Sequence, residues 1–149
     1  MKTASQFMLA GLAALLSACG TVTDPDSETR PVGQSVLSPA ELAQARREPD
    51  FRKHVAPILT ERCLHCHDGK EMPGKLDLST RRGAFRDQRI IVPGQPTSSM
   101  LIVALTTGNH ALSMPAVGTA PPPEEVAVLE RWIELGAKWP EGAVLRARE

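Results

Sequence analysis

Apolar residues at Phe51, Val55, Ile58 and Leu59 follow the i, i+4, i+7, i+8 spacing that lines one face of a helix, and the stripe leads straight into Cys63. Asp50 is the expected N-cap. Pro57 falls inside the pattern, where it removes a donor and crowds the preceding turn, so a kink or a fresh start between His54 and Pro57 is predicted. A second stripe, Val126, Leu129, Trp132, Ile133 and Gly136, predicts a helix from Pro123 to Leu135. Glu124 and Glu125 suit the positive end of its dipole, and Gly136 ends it and leaves room for another backbone to come close. Met100 to Leu105 predicts a third helix, capped by Thr97, Ser98 or Ser99 and ended by Gly108. Ser38-Pro39-Ala40-Glu41 is a capping box opening a peripheral helix with little apolar face, which should run to Glu48 before Pro49.

Between the stripes the pattern weakens. Leu76-Asp77-Leu78 alternates as a short extended segment, Thr80 to Phe85 suits one helical turn, and Ile90 to Pro96 reads as an extended, rigid stretch. Asn109 to Pro122 holds Pro115, Gly118, Pro121 and Pro122, which predicts an irregular loop above the usual connection length, a place where function concentrates. At the start of the chain, Lys2 precedes an apolar run from Phe7 to Leu16, about half of the roughly twenty residues a membrane span needs, so residues 1–18 read as an export signal. Leu16-Ser17-Ala18-Cys19 resembles the lipobox of bacterial lipoproteins, which implies cleavage before Cys19 and its acylation. Gly20 to Leu37 has neither period and reads as a tether. The expected organisation is a signal peptide over 1–18, a lipidated cysteine and flexible tether over 19–37, and one domain over 38–149.

Composition adds a constraint. The chain of 149 residues has no Tyr, three Phe and two Trp, so its core should be aliphatic or built around some other large apolar body. Lys plus Arg and Asp plus Glu balance at 17 each, leaving no net field to draw nucleic acid. The cations still cluster, with Arg46, Arg47, Arg52, Lys53 and Arg62 before the cysteines and Arg81, Arg82, Arg86 and Arg89 after them.

The other apolar body is suggested by Cys63-Leu64-His65-Cys66-His67, a C-x-x-C-H run with the spacing of c-type haem attachment. Two thiols three residues apart suit the two vinyl groups on one porphyrin edge, and the adjacent His67 falls beneath the iron as an axial ligand. A zinc site would need four close ligands and finds no second cysteine pair; a thioredoxin-like pair would follow a strand, whereas the residues before Cys63 read as helix. With Cys19 acylated, all three cysteines have covalent roles and no disulfide is expected. One haem c is the expected cofactor, with one or two arginines pairing with its propionates.

The sixth ligand comes from Met72, Met100, Met114, His54, His65 and His110. Met72 lies only five residues past His67, Met100 sits in an apolar helix, and His54 and His65 belong to the attachment side. The irregular loop remains, with Met114 stiffened by Pro115 as the first choice and His110 or an open position as the alternatives.

These residues resemble a known family, the planctomycete-type cytochrome c domain among the single-haem class I cytochromes c. The resemblance runs in order through Val55-Ala56-Pro57-Ile58-Leu59, Cys63 to His67, Leu76-Asp77-Leu78, Arg82-Gly83-Ala84, Ile91-Val92-Pro93-Gly94, Ser99-Met100-Leu101-Ile102, Met114-Pro115, and Glu125 through Trp132-Ile133 to Gly136-Ala137-Lys138-Trp139-Pro140. It implies an all-α class I cytochrome c fold, with three core helices and a peripheral N-terminal helix around one covalently attached haem. It also implies Cys63 and Cys66 as thioether residues and His67 and Met114 as proximal and distal ligands. This chain has Met114-Pro115-Ala116 where the family often has Met-Pro-Pro, so its distal loop differs.

The expected function is single-electron transfer by a monomeric, membrane-anchored cytochrome between a donor and an acceptor protein. Its expected location is the periplasmic side of a bacterial envelope membrane, the outer one first. A haem sensor or enzyme with a labile sixth site, and a fixed relay subunit of a membrane oxidoreductase, are the competing readings.

Overall fold

The computed structural model describes residues 34–70, 76–109, 111–115 and 120–147. The export signal, Cys19 and most of the tether, together with Met72 and His110, lie outside the described residues. Among the described residues the architecture is helical, with no strand; Thr80 and Val144 form one isolated antiparallel bridge.

Helix α1 spans Pro39–Ala45 and opens with the expected capping box: Glu41 N–H donates to Ser38 Oγ, and Ser38 N–H to Glu41 Oε2. It ends before Glu48, the last residues tightening into turns on the Gln44 carbonyl. Asp50 caps the next element by accepting from Lys53 N–H at 2.8 Å. That element resolves the conflict posed by Pro57. Phe51–Val55 is one turn of π-helix, in which Val55 N–H reaches the Asp50 carbonyl and Ala56 N–H the Phe51 carbonyl, and α2 follows as Ala56–Arg62 with Pro57 in its first turn. In that position the missing proline N–H interrupts no α-helical ladder. Phe51, Val55, Ile58 and Leu59 are all buried, as the stripe requires.

The four-residue helix α3, Arg81–Ala84, is capped by Thr80. A 3₁₀ turn at Pro96–Ser98 replaces the expected extension there and leads into α4, Met100–Thr106. Ser99 precedes α4 but does not cap it with its side chain. Its buried hydroxyl donates to the Gln95 carbonyl and accepts from Val92 N–H, closing the loop in front of the helix. Helix α5 is Pro123–Glu134, and Val126, Val128, Leu129, Trp132 and Ile133 are buried on it. Gly136 is exposed and has a φ of 96° with nothing close to its missing side chain. Its role is therefore the left-handed turn after the helix and not the expected close approach of another backbone.

Helix α5 lies against α1, the π-turn and α4. Most of the buried core is aliphatic, one of the two outcomes the composition allows, and the aromatics gather at one place. Phe51 stacks at 4.4 Å from Trp139 and 6.0 Å from Trp132, and Phe85 meets Trp139 edge-on. Both indole N–H groups are satisfied, by the Lys138 and Ala143 carbonyls. Few aromatics suffice because they gather at one junction, between the π-turn, α5 and the C-terminal segment.

Candidate functional site

Cys63 follows the last residue of α2, and the chain then turns tightly: Cys66 N–H and His67 N–H both donate to the Cys63 carbonyl, at 3.2 and 2.9 Å. This turn brings both cysteines and His67 together at the end of the buried stripe. Leu64 is its anchor, fully buried, while His65 and Cys66 are exposed. The loop beyond returns so that Leu78 N–H donates to the His67 carbonyl at 2.8 Å, fixing the histidine's backbone from both sides.

The two thiols are free and differ in setting. Burial pushes the Cys63 thiol up to about 12, with the Glu125 carboxylate adding to the effect and Arg62 opposing it. A thioether carries no proton, so attachment removes that conflict. His67 is half-buried, and burial lowers its pKa against a weaker pull from the main chain of Leu76. Its Nδ1 is buried with no partner in hydrogen-bonding geometry. An imidazole packed in this way, with two unpaired thiols on the same turn, fits a covalently bound haem better than a zinc centre. Among the described residues no group of three or more His, Cys, Asp or Glu converges on a metal-sized space.

Met114, the expected distal ligand, is held through its backbone: its N–H donates to the Ala104 carbonyl of α4 at 2.8 Å. Its side chain is 38% exposed, and no hydrogen bond joins it to the turn. Met100, set aside as a core residue, is half-buried on α4. Buried His54 is also accounted for, since its Nδ1 accepts from Asp50 N–H within its own turn.

One feature of the site escaped sequence reasoning. Glu125, read as a dipole partner, is 0% exposed and holds Arg62 in a two-point ion pair, at 2.8 Å from Nε and 3.1 Å from a terminal nitrogen. Its Oε1 also accepts from Val36 N–H, while Arg62 donates to the Gln34 carbonyl at 2.6 Å. The residue before Cys63 is thus clamped to α5 and to the chain entering the domain. The signal available was weak: an acidic residue on an apolar stripe, and an arginine directly before the motif.

The described frame is helical, and a C-x-x-C-H turn stands at the end of a buried helix, a motif that suits c-type haem attachment. Residues 63–118 match the model of the family Planctomycete cytochrome C, so the resemblance read from the sequence holds from Cys63 through the Met114 loop. No curated protein and no solved structure matches the chain.

Proposed function

We propose that this protein is a monohaem c-type cytochrome that carries single electrons between protein partners, held at a bacterial envelope membrane by a lipid on Cys19. The observation that carries the reading is the Cys63 to His67 turn: two free thiols and a packed imidazole on one short loop, within the segment that matches the family. A haem supplies reversible one-electron chemistry at its iron. Cys63 and Cys66 would hold it through thioethers, each thiol S–H adding across a vinyl group, so that the cofactor could not dissociate. His67 would hold the iron through an imidazole nitrogen and Met114 through its thioether, a ligand pair that would leave no open site and would raise the potential. The hold of the Ala104 carbonyl on the Met114 N–H supports this role, because it fixes the backbone of a partly exposed methionine.

The test is the mass of the mature protein with its pyridine haemochrome spectrum. One haem, two thioethers and acyl chains on Cys19 are expected; an unmodified Cys63 or Cys66 overturns the attachment. Distal ligation is read separately. The ferric protein should show the weak far-red thioether-to-iron band, and reduced Met114→Ala should bind carbon monoxide where the native protein does not. Ready binding by the native protein instead identifies a sensor or enzyme with a labile site.

A further inference from the structure

Arg81, Arg82 and Arg86, on and just beyond α3, line an open hollow of about 610 Å³ together with Phe85, Glu141 and Gly142. The guanidiniums of Arg81 and Arg82 alone outnumber the one carboxylate, Glu141, and leave the hollow positive. Arg81 lies over the Phe85 ring at 5.5 Å, and that ring abuts Trp139, so one cation is backed by the aromatic junction of the core. Arg82 is exposed and takes part in no ion pair or hydrogen bond among the described residues. Beside the hollow, the C-terminal segment that carries Glu141 and Gly142 is tied down where Thr80 bridges to Val144 and Leu145 N–H donates to the Ser79 carbonyl at 2.7 Å.

The hollow is fastened to the attachment turn. The Asp77 side chain fills the space between Gly69, two residues past His67, and Gly83 in the middle of α3. Leu78 is hydrogen-bonded to His67, and the four residues from Leu78 to Arg82 span at most about 14 Å. Electrons entering or leaving near the exposed Cys66 therefore pass close to a positive, open surface. Arginine forks suit carboxylates, and charge steers encounters that are otherwise small and weak.

We propose that this hollow docks an acidic surface of a redox partner protein, with Arg81 and Arg82 receiving carboxylates beside the haem-attachment turn. The proposal rests on the electron-transfer reading and names the kind of partner that reading requires.

The test uses the purified haem-loaded protein and small probes of chosen charge. The redox-inert hexacyanocobaltate trianion should bind at low ionic strength and shift the side-chain NMR signals of Arg81 and Arg82. Arg82→Glu should weaken that binding about three-fold or more, and Glu141→Gln should strengthen it. Oxidation by ferricyanide should slow in Arg82→Glu by a similar factor, while exchange with cationic hexaammineruthenium holds or quickens and the midpoint potential stays in place. Arg82→Gln, which adds no charge, should give the same pattern more weakly. Absent binding, binding indifferent to these variants, or equal slowing with both probes overturns the proposal. A protein that exchanges electrons with neither probe defeats the electron-transfer reading instead, and hexacyanocobaltate binding still decides whether the hollow receives anions.

Discussion

Cys63 and Cys66 are three residues apart and chemically unlike, which makes their order of reaction predictable. In the chain without haem, Cys66 should be alkylated by iodoacetamide near neutral pH while Cys63 resists, because the Cys66 side is exposed and burial pushes the Cys63 thiol to about 12. The same shift has a consequence for stability. A thiol that keeps its proton when folded but loses it above about 8.5 when unfolded makes the unattached chain less stable as pH rises from about 8.5 toward 12. Urea midpoints measured across that range should fall for the haem-free protein, and the thiol's share of the fall should vanish once the thioether forms. Glu125 gives a second prediction. Glu125→Ala leaves Arg62 beside a buried, unpaired site and should cost about 3 kcal/mol in urea unfolding, whereas replacing both partners by apolar residues should cost much less. That Cys63, Cys66 and His67 share one turn was legible because their spacing is local in sequence. Glu125 was not, because its partner is distant in sequence and no periodicity links them.

At the level of elements, periodicity located the helices and local chemistry decided how they begin and end. Asp50 caps as its position suggests, Thr80 caps a helix it was expected to lie within, and Ser99 sits at the N-cap position but spends its hydroxyl on the loop before the helix. The π-turn at Phe51–Val55 could not be read directly, since the stripe fits an ordinary helix; only Pro57 signalled that the ladder had to change. Asp50→Ala should destabilise by about 1 kcal/mol through the lost cap. Gly83 imposes a stricter limit. A Cβ there would overlap the Asp77 carboxylate and its backbone carbonyl, so Gly83→Ala should cost about 1 to 3 kcal/mol and shift α3 away from the loop after His67. Loss of denaturation midpoint together with altered α3 amide shifts would show both effects. An unchanged midpoint would mean that Asp77 moves aside freely.

For the molecule as a whole, the lesson of the sequence is that absent tyrosines said little about the core. Four aromatics placed at one junction join the π-turn, α5 and the C-terminal segment, and that concentration depends on tertiary contacts no local pattern displays. The entering chain was also more ordered than its composition implied. Leu37 is 4% exposed, and Gln34 and Val36 are hydrogen-bonded to the Arg62 and Glu125 pair, although Gly20 to Leu37 reads as one polar tether. A chain beginning at Gln34 should therefore match the stability of the full chain, while one beginning at Ser38 should lose about 2 to 4 kcal/mol from Leu37 burial and the freed polar groups. Thermal and urea unfolding of the two truncations compare them directly.

Docking of Gln34 to Leu37 also sets a leash. If Cys19 is fixed in a membrane, the fifteen steps of chain from there to Gln34 reach at most about 50 Å, against about 65 Å for the nineteen steps to Ser38. The leash is tied at Arg62, the residue before Cys63, so the C-x-x-C-H turn sits directly beside the point where the entering chain is held. A cytochrome confined to that shallow layer meets membrane-bound partners at raised effective concentration and cannot reach those beyond the radius. Lengthening the segment before Gln34 should widen the range of partners served and slow exchange with the nearest ones.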